Sequence, residues 1–459
     1  MTSPALPAAA SIWDRERVWV TVGIVALIFL TAVQALAVTT VMPVVSRDLD
    51  GDALYALAFS GTLATSVIGM VLTGAWCDRT GPRIPLFVAV TLFGLGMLIA
   101  GLAPDMVIFV LGRLVLGVGS GGMIVALYVV VARAYPPGLH GRIFAAFAAA
   151  WVVPSMVGPF LAGLVAQFLH WRWVFLGVVI LTALAFALVT IRLRRVDLGH
   201  GAASGRFGIR LLLAVVVAIA SVVLGAAAEM SPAQSVVVAV ICVVVTVFAI
   251  IPLLPRGTLR SGTGLPSAVL LRGMLAAGFF SAEVYIPYQM IEHFGWEPSV
   301  AGLALTVAGV MWAAGAEVQG RYGDRLGNTR LVVMSLTIMV ASMLAVFLTS
   351  LLGLHPAVLI VGWGFVGGAM GIAYPRTTIL GLAYSTPQTQ GFNSAALSIS
   401  DAVGAATVIA LMGLVVTAMG RGPLAFPVVF GISLAILALA LIPGSRLGRA
   451  RDLRIGHAD

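Results

Sequence analysis

Four ionisable residues stand inside long apolar runs: Arg113, Glu283, Arg376 and Asp401. A charge held within membrane hydrocarbon is costly, and those kept there pair with one another or serve an ion or proton path. Glu283 lies in the stretch FFSAEVYIPYQ, residues 279–289. A carboxyl at that depth can carry a proton and alternately bind a cation. The neighbouring Phe280, Tyr285, Tyr288 and Gln289 are candidates to contact cargo, since aromatic faces hold cations and lipophilic groups. Tyr128, Trp151, Trp312 and Tyr374, inside other apolar runs, are candidates for the same cavity, as is Gln34. Arg113 and Glu283 lie about seven to eight residues from one membrane face, so they can meet at one level. A Glu283 permanently paired with Arg113 is the plainer alternative. Arg376 and Asp401 sit on consecutive antiparallel spans and are expected to pair. Glu283 and Asp401 are the candidates for proton coupling.

The elements that place these groups follow from composition. The 459 residues are 61% hydrophobic and 9% charged. A soluble domain carries about a quarter charged residues, so the solvent here is lipid. Fourteen runs are long enough to cross it, from about 18–43 to about 424–443. The fold class is all-α and integral to the membrane. The first run is too long for a cleavable signal peptide and leads into further runs. Cys77 and Cys242 have no metal-ligand spacing and read as packing residues. No metal or cofactor is expected.

All 26 basic residues are arginine. With both termini cytoplasmic, only Arg47, Arg172 and Arg421 fall on outer loops. The inner segments hold Arg79, Arg83, Arg133, Arg142, Arg272, Arg321, Arg325 and others. Such an asymmetry orients a multi-pass protein. The net charge of +9 is thus an orientation and lipid-contact signal, not a nucleic-acid surface. The expected location is the cell membrane, inner or plasma.

GAWCDRTGPR at 74–83 has a cousin, GRYGDRLGNTR, at 320–330. An offset of 246 superposes Gly74, Asp78, Arg79 and Gly81 on Gly320, Asp324, Arg325 and Gly327. Each copy follows the second span of a six-span block, and two parallel halves are a transporter architecture. The expected organisation is a six-helix bundle over 1–192, a linker with two extra spans over 193–260, a second bundle over 261–443, and a cytoplasmic tail over 444–459. The extra pair is expected at the periphery. Asp78, Arg79 and Arg83 can act as a charged latch beside a tight turn at Gly81 and Pro82, or simply as a loop that orients the chain.

The pattern G-x-x-x-D-R-x-G-x-R resembles the loop signature of the major facilitator superfamily. Gly112-Arg113 with Gly117, Gly119, Gly121 and Gly122 looks like that family's fourth-span motif. Pro154, Gly158, Pro159 and Gly163, with Trp151 before them, are similar to the antiporter motif of drug exporters. Together with fourteen spans, these features resemble the fourteen-helix drug:proton antiporters, the QacA/EmrB-like group. The resemblance implies the major facilitator fold, two six-helix bundles plus an inserted hairpin. It implies a monomeric secondary active transporter, not an enzyme, that exports small lipophilic or cationic compounds against protons by alternating access. It also implies that the fifth span seals the outer side. Such exporters carry an Asp in the first span where this chain has Gln34, which cannot carry a proton. A transporter of lipids or lipid-linked metabolites on the same fold is the alternative. An importer fits the fifth span less well. A membrane enzyme would need a nucleophile–base set or a metal cluster at one depth, which the sequence lacks.

Overall fold

The computed structural model describes residues 12–14, 17–193, 207–385, 390–420, 422 and 424–448. Fourteen of its helices are long and apolar enough to span a membrane. They are α1 (Val18–Asp48), α2 (Tyr55–Thr80), α3 (Arg83–Gly101), α4 (Met106–Ala134), α5 (Pro137–Phe168), α6 (Arg172–Leu193) and α7 (Phe207–Ala226), then α8 (Pro232–Ile250), α9 (Leu265–Glu292), α10 (Pro298–Leu326), α11 (Asn328–Leu352), α12 (Pro356–Ala383), α13 (Gln390–Ala418) and α14 (Ala425–Leu439). A short α15 (Leu441–Ser445) prolongs the last. No strand occurs among the described residues. Lipid offers no hydrogen bonds, so each span must satisfy its backbone internally, and a helix does so. The tail from 449 onward and Arg15, Arg194, Arg195, Arg206, Arg421, Arg449, Arg451 and Arg454 lie outside the described residues. So does the side chain of Asp324.

Helices α1–α6 form one bundle and α9–α14 the other, with the same internal arrangement. In the first, α4 packs between α2 and α3, while α1 packs on α5 and α6. In the second, α12 packs between α10 and α11, while α9 packs on α13 and α14. Glycine sets these distances. A Cβ on Gly117 or Gly121 would strike the Thr62 or Ser66 carbonyl of α2. One on Gly112 or Gly119 would strike the Ala100 or Phe93 backbone of α3. Gly315, Gly367 and Gly371 do the same between α10 and α12. Apolar side chains gain little by leaving lipid for protein, so close backbone approach is what makes such contacts favourable.

Gly81 and Gly327 close α2 and α10 at φ +81° and +79°, which only glycine adopts without strain. The two loop copies are thus the same turn in each half.

The halves meet along two seams, α5 against α10 and α2 against α13. The inserted pair departs in part from a purely peripheral position. Helix α8 packs mainly on α7, but α7 lies along α2 and α13 together.

Gly121→Val drives a branched side chain into the Ser66 carbonyl. Overpacking of this kind costs about 1–3 kcal/mol. The variant is expected to lose several degrees of melting temperature in detergent, whereas Gly177→Val, in open space, keeps the parent value.

Candidate transport site

Along α9 from Leu271 to Ile291, only Arg272, Met274, Phe280 and Glu283 are not fully buried. At about 100° per residue, Arg272 and Glu283 point within about 20° of each other, some 16 Å apart along the axis. Phe280 lies between them along the axis, about 60° to 80° to one side. One face of α9 therefore presents a cation, an aromatic ring and an acid in a row.

The lower end of that row is a polar cluster tying three helices together. The Arg272 Nε donates to Asp401 Oδ1 at 3.0 Å, from α9 to α13. Its Nη1 donates to the Tyr374 carbonyl at 3.2 Å, Thr377 Oγ1 at 3.2 Å and Thr378 Oγ1 at 2.8 Å, all on α12. The Tyr374 hydroxyl lies 2.8 Å from both Asp401 oxygens. The guanidinium also sits 3.3 Å from the Tyr374 ring centroid. Asp401 thus takes Arg272, not the expected Arg376. Arg376 instead donates to Asn328 Oδ1 of α11. In the bundle α13 packs far more closely on α9 than on α12, its neighbour in sequence. Arg272, placed by the sequence reading on an inner segment, is inside the span, with its side chain 14% exposed.

Above the cluster runs an aromatic wall. Tyr374 and Phe279 both pack edge-on against Trp312, at 5.4 Å, and Phe279 stacks on the buried Trp363 at 4.8 Å. Phe280 meets Tyr374 edge-on at 6.4 Å. Tyr128 on α4, about half exposed, lies within electrostatic reach of Arg272, so the first bundle faces this wall. Tyr128 stacks on Phe147 of α5.

Glu283 forms no hydrogen bond or ion pair with any described residue. The permanent pair with Arg113 is absent. Arg113 is 4% exposed; its Nε donates to the Ala58 carbonyl at 3.1 Å, and its Nη1 is buried without a partner. Gln34 is buried on α1.

Three other cavity candidates belong elsewhere. Tyr285 and Tyr288 pack with Tyr55 and Phe426 at the end where α1 joins α2. There Tyr55 donates to the Val284 carbonyl at 2.8 Å, and Arg47 pairs with Glu292, so both bonds cross from one bundle to the other. Gln289 is buried and accepts from Ser350 of α11 at 3.0 Å. The same end is closed along α5, where Ser155, Pro159 and Gly163 meet Gly309, Gly302 and Pro298 of α10. Gly158 does not take part in that contact: a Cβ there would approach only Pro154. At the opposite end Asp78 and Arg79 are exposed, and Asp78 has no ion pair among the described residues. Glu317 and Arg321 form the local pair their spacing suggests. Both cysteines are buried and free. No group of three metal-ligating side chains occurs among the described residues.

The family model described as Major Facilitator Superfamily matches residues 23–282 and 268–455. The chain belongs to the Major Facilitator Superfamily. Its fourteen spans fit the fourteen-helix drug:proton antiporter group within it. It is 25% identical over 435 residues, 91% of each chain, to the probable multidrug-efflux transporter Rv1634 of Mycobacterium tuberculosis H37Rv. It is 22% identical to the multidrug efflux pump SdrM of Staphylococcus aureus N315, over 70% of this chain and 73% of that one. Among solved structures, a bacterial homologue of the human lysosomal transporter Spinster, inward-facing and unoccupied, superposes with TM-score 0.68. That match has 14% identity over 95% of this chain and 98% of the other. A D-xylose–proton symporter superposes with TM-score 0.62 at 16% identity, over 92% and 96%. These two likenesses show the shared fold.

As a facilitator-superfamily transporter, the protein keeps its polar cluster in the second bundle. The sequence reading missed Arg272 as a site residue. The signal was its spacing from Glu283, which puts both on one helical face. The same offset of 246 that aligns the loops also superposes Tyr128 on Tyr374, one on each side of the interface.

Removing either member of the Arg272–Asp401 pair strands its partner. Asp401→Asn and Arg272→Gln are each expected to lower the melting temperature. The double variant should recover part of the loss, with a coupling energy of about 1–3 kcal/mol in a double-mutant cycle. Pairing Asp401→Asn with Arg376→Gln should show no such recovery.

Proposed function

We propose that this protein is a secondary active exporter of small lipophilic or cationic compounds, driven by protons and working by alternating access. The observation that carries this reading is Glu283, a carboxyl without a partner on the incompletely buried face of a central helix. An unpaired acid one turn from the ring of Phe280 can hold a proton in one state and a cationic cargo in another. The multidrug-efflux names of Rv1634 and SdrM support the direction of transport and the class of cargo. With Gln34 in the first span, the membrane interior of that span holds no acid, so the proton load falls on Glu283, with Asp401 as the second acid.

With both termini cytoplasmic, as the arginine distribution orients the chain, the tyrosine-packed end faces outward and the end bearing Asp78 faces inward. The closed outer contacts then make this the inward-facing state. Rocking the bundles opens the α5–α10 contact at Pro159 and Gly163 and brings the loops at Gly74–Arg83 and Gly320–Arg325 together as a switch. The transporter acts as a monomer in the cell membrane, in contact with membrane lipids, and needs no cofactor or nucleic acid.

The test uses proteoliposomes, with tetraphenylphosphonium as cargo. Glu283→Gln should lose accumulation driven by a pH gradient and keep downhill exchange, because a neutralised site can still alternate. A variant that concentrates the cation as the parent does would move the proton carrier elsewhere.

A further inference from the structure

The two seams between the bundles are covered unequally. The α2–α13 seam is lined along its length by α7. Leu57 of α2 approaches Gly225, Ala64 clusters with Ala218 and Ala406, and Val67 clusters with Ala214, Val217 and Val403. Among the described residues the α5–α10 seam has no comparable cover, for neither α7 nor α8 packs substantially against α5 or α10.

Along the bare seam the glycine-mediated backbone contacts end one turn before a partly exposed indole. Residues 163, 159, 155 and 151 form one row on α5, at four-residue spacing. The first three meet α10 directly. The fourth, Trp151, is 39% exposed. On α10, Ala313, one turn beyond Gly309, is partly exposed, and the outward row Val300, Leu303 and Val310 is 40%, 47% and 40% exposed. Leu397 of α13, by contrast, is 5% exposed and packed in the cluster with α7. One seam therefore carries an exposed side chain where the other carries a sealed one.

We propose that the inserted α7 makes access from the membrane one-sided. Lipophilic cargo dissolved in the leaflet at the Asp78 end reaches the aromatic wall through the α5–α10 cleft, past Trp151, and not through the α2–α13 seam. The occupant is an apolar or amphipathic compound partitioned into that leaflet. Trp151 lies one turn below the last backbone contact, and Trp312 stands on α10 next to the wall formed with Phe279 and Tyr374. An indole at the mouth suits a molecule with an apolar body and a polar or cationic end. This rests on the transporter reading given above.

A route from lipid to cavity must be reached from both. The protein in nanodiscs, carrying Trp151→Cys, is treated separately with the charged, water-soluble reagent MTSET and with bilayer-dissolved pyrene maleimide. Buried Cys77 and Cys242 make the parent chain the unreactive control. Trp151→Cys and Ala313→Cys should react with both reagents several-fold faster than Leu397→Cys or Ala64→Cys at the covered seam. Val240→Cys, exposed on α8, should react with pyrene maleimide alone. Labelling of Trp151→Cys by only one reagent overturns the route: maleimide alone marks an ordinary lipid-facing site, and MTSET alone marks a cavity closed to lipid. Equal labelling at Leu397→Cys or Ala64→Cys overturns the asymmetry. The readout needs no transport, so loss of tetraphenylphosphonium export in the parent would count against the proposed function and not against the route.

Discussion

The close approach of α4 to α2 and α3, and of α12 to α10 and α11, is the contact on which the rest depends. In water a helix bundle gathers because apolar faces leave the solvent. In lipid that gain is small, and the helices hold where backbones come near enough for dispersion and dipole contacts. Glycines on two faces of α4 allow it, and Gly315, Gly367 and Gly371 allow it in the second bundle. Each bundle thus has a packed interior, and the two bundles are joined by further contacts between them. Those contacts include Ser155–Gly309, Pro159–Gly302 and Gly163–Pro298, together with the tyrosines around Tyr55.

Charge is placed with the same economy. Arg272 and Asp401 satisfy each other with help from Tyr374, and their bonds fasten α9, α12 and α13 where the packing of α12 on α13 is sparse. Glu283, on the same face of α9, is left out of that network. A fully partnered pair gives rigidity; an unpartnered acid can change protonation without dismantling the helix contacts. The two lie about 16 Å apart on one helix, so under the proposed function a proton or cargo at Glu283 would act on an element anchored at its other end.

The fourteen spans and the half-repeat were legible because they rest on run length, arginine placement and a repeated turn that demands glycine. The site was legible only in part. Sequence adjacency points Asp401 at Arg376 on the preceding span, whereas the bundle sets α13 against α9. Arg272 was read with the inner segments because it stands only eight residues into its helix. Tyr285, Tyr288 and Gln289 were grouped with Glu283 by nearness in sequence. At about 100° per residue they point about 120° to 160° away from it, toward the closed end and α11. The role of α7 was hidden for a different reason. Hydropathy reports that a helix meets lipid, and says nothing of which two helices lie behind it.

The central claim is that an unpaired carboxyl exchanges its proton for cargo. The direct measurement is proton release from purified protein in weakly buffered detergent on addition of tetraphenylphosphonium, followed by a pH-indicator dye near neutral pH. The account predicts release by the parent that saturates with cation binding, and binding without release in Glu283→Gln. Saturable binding by the parent with no proton released, or equal release from Glu283→Gln, would contradict it.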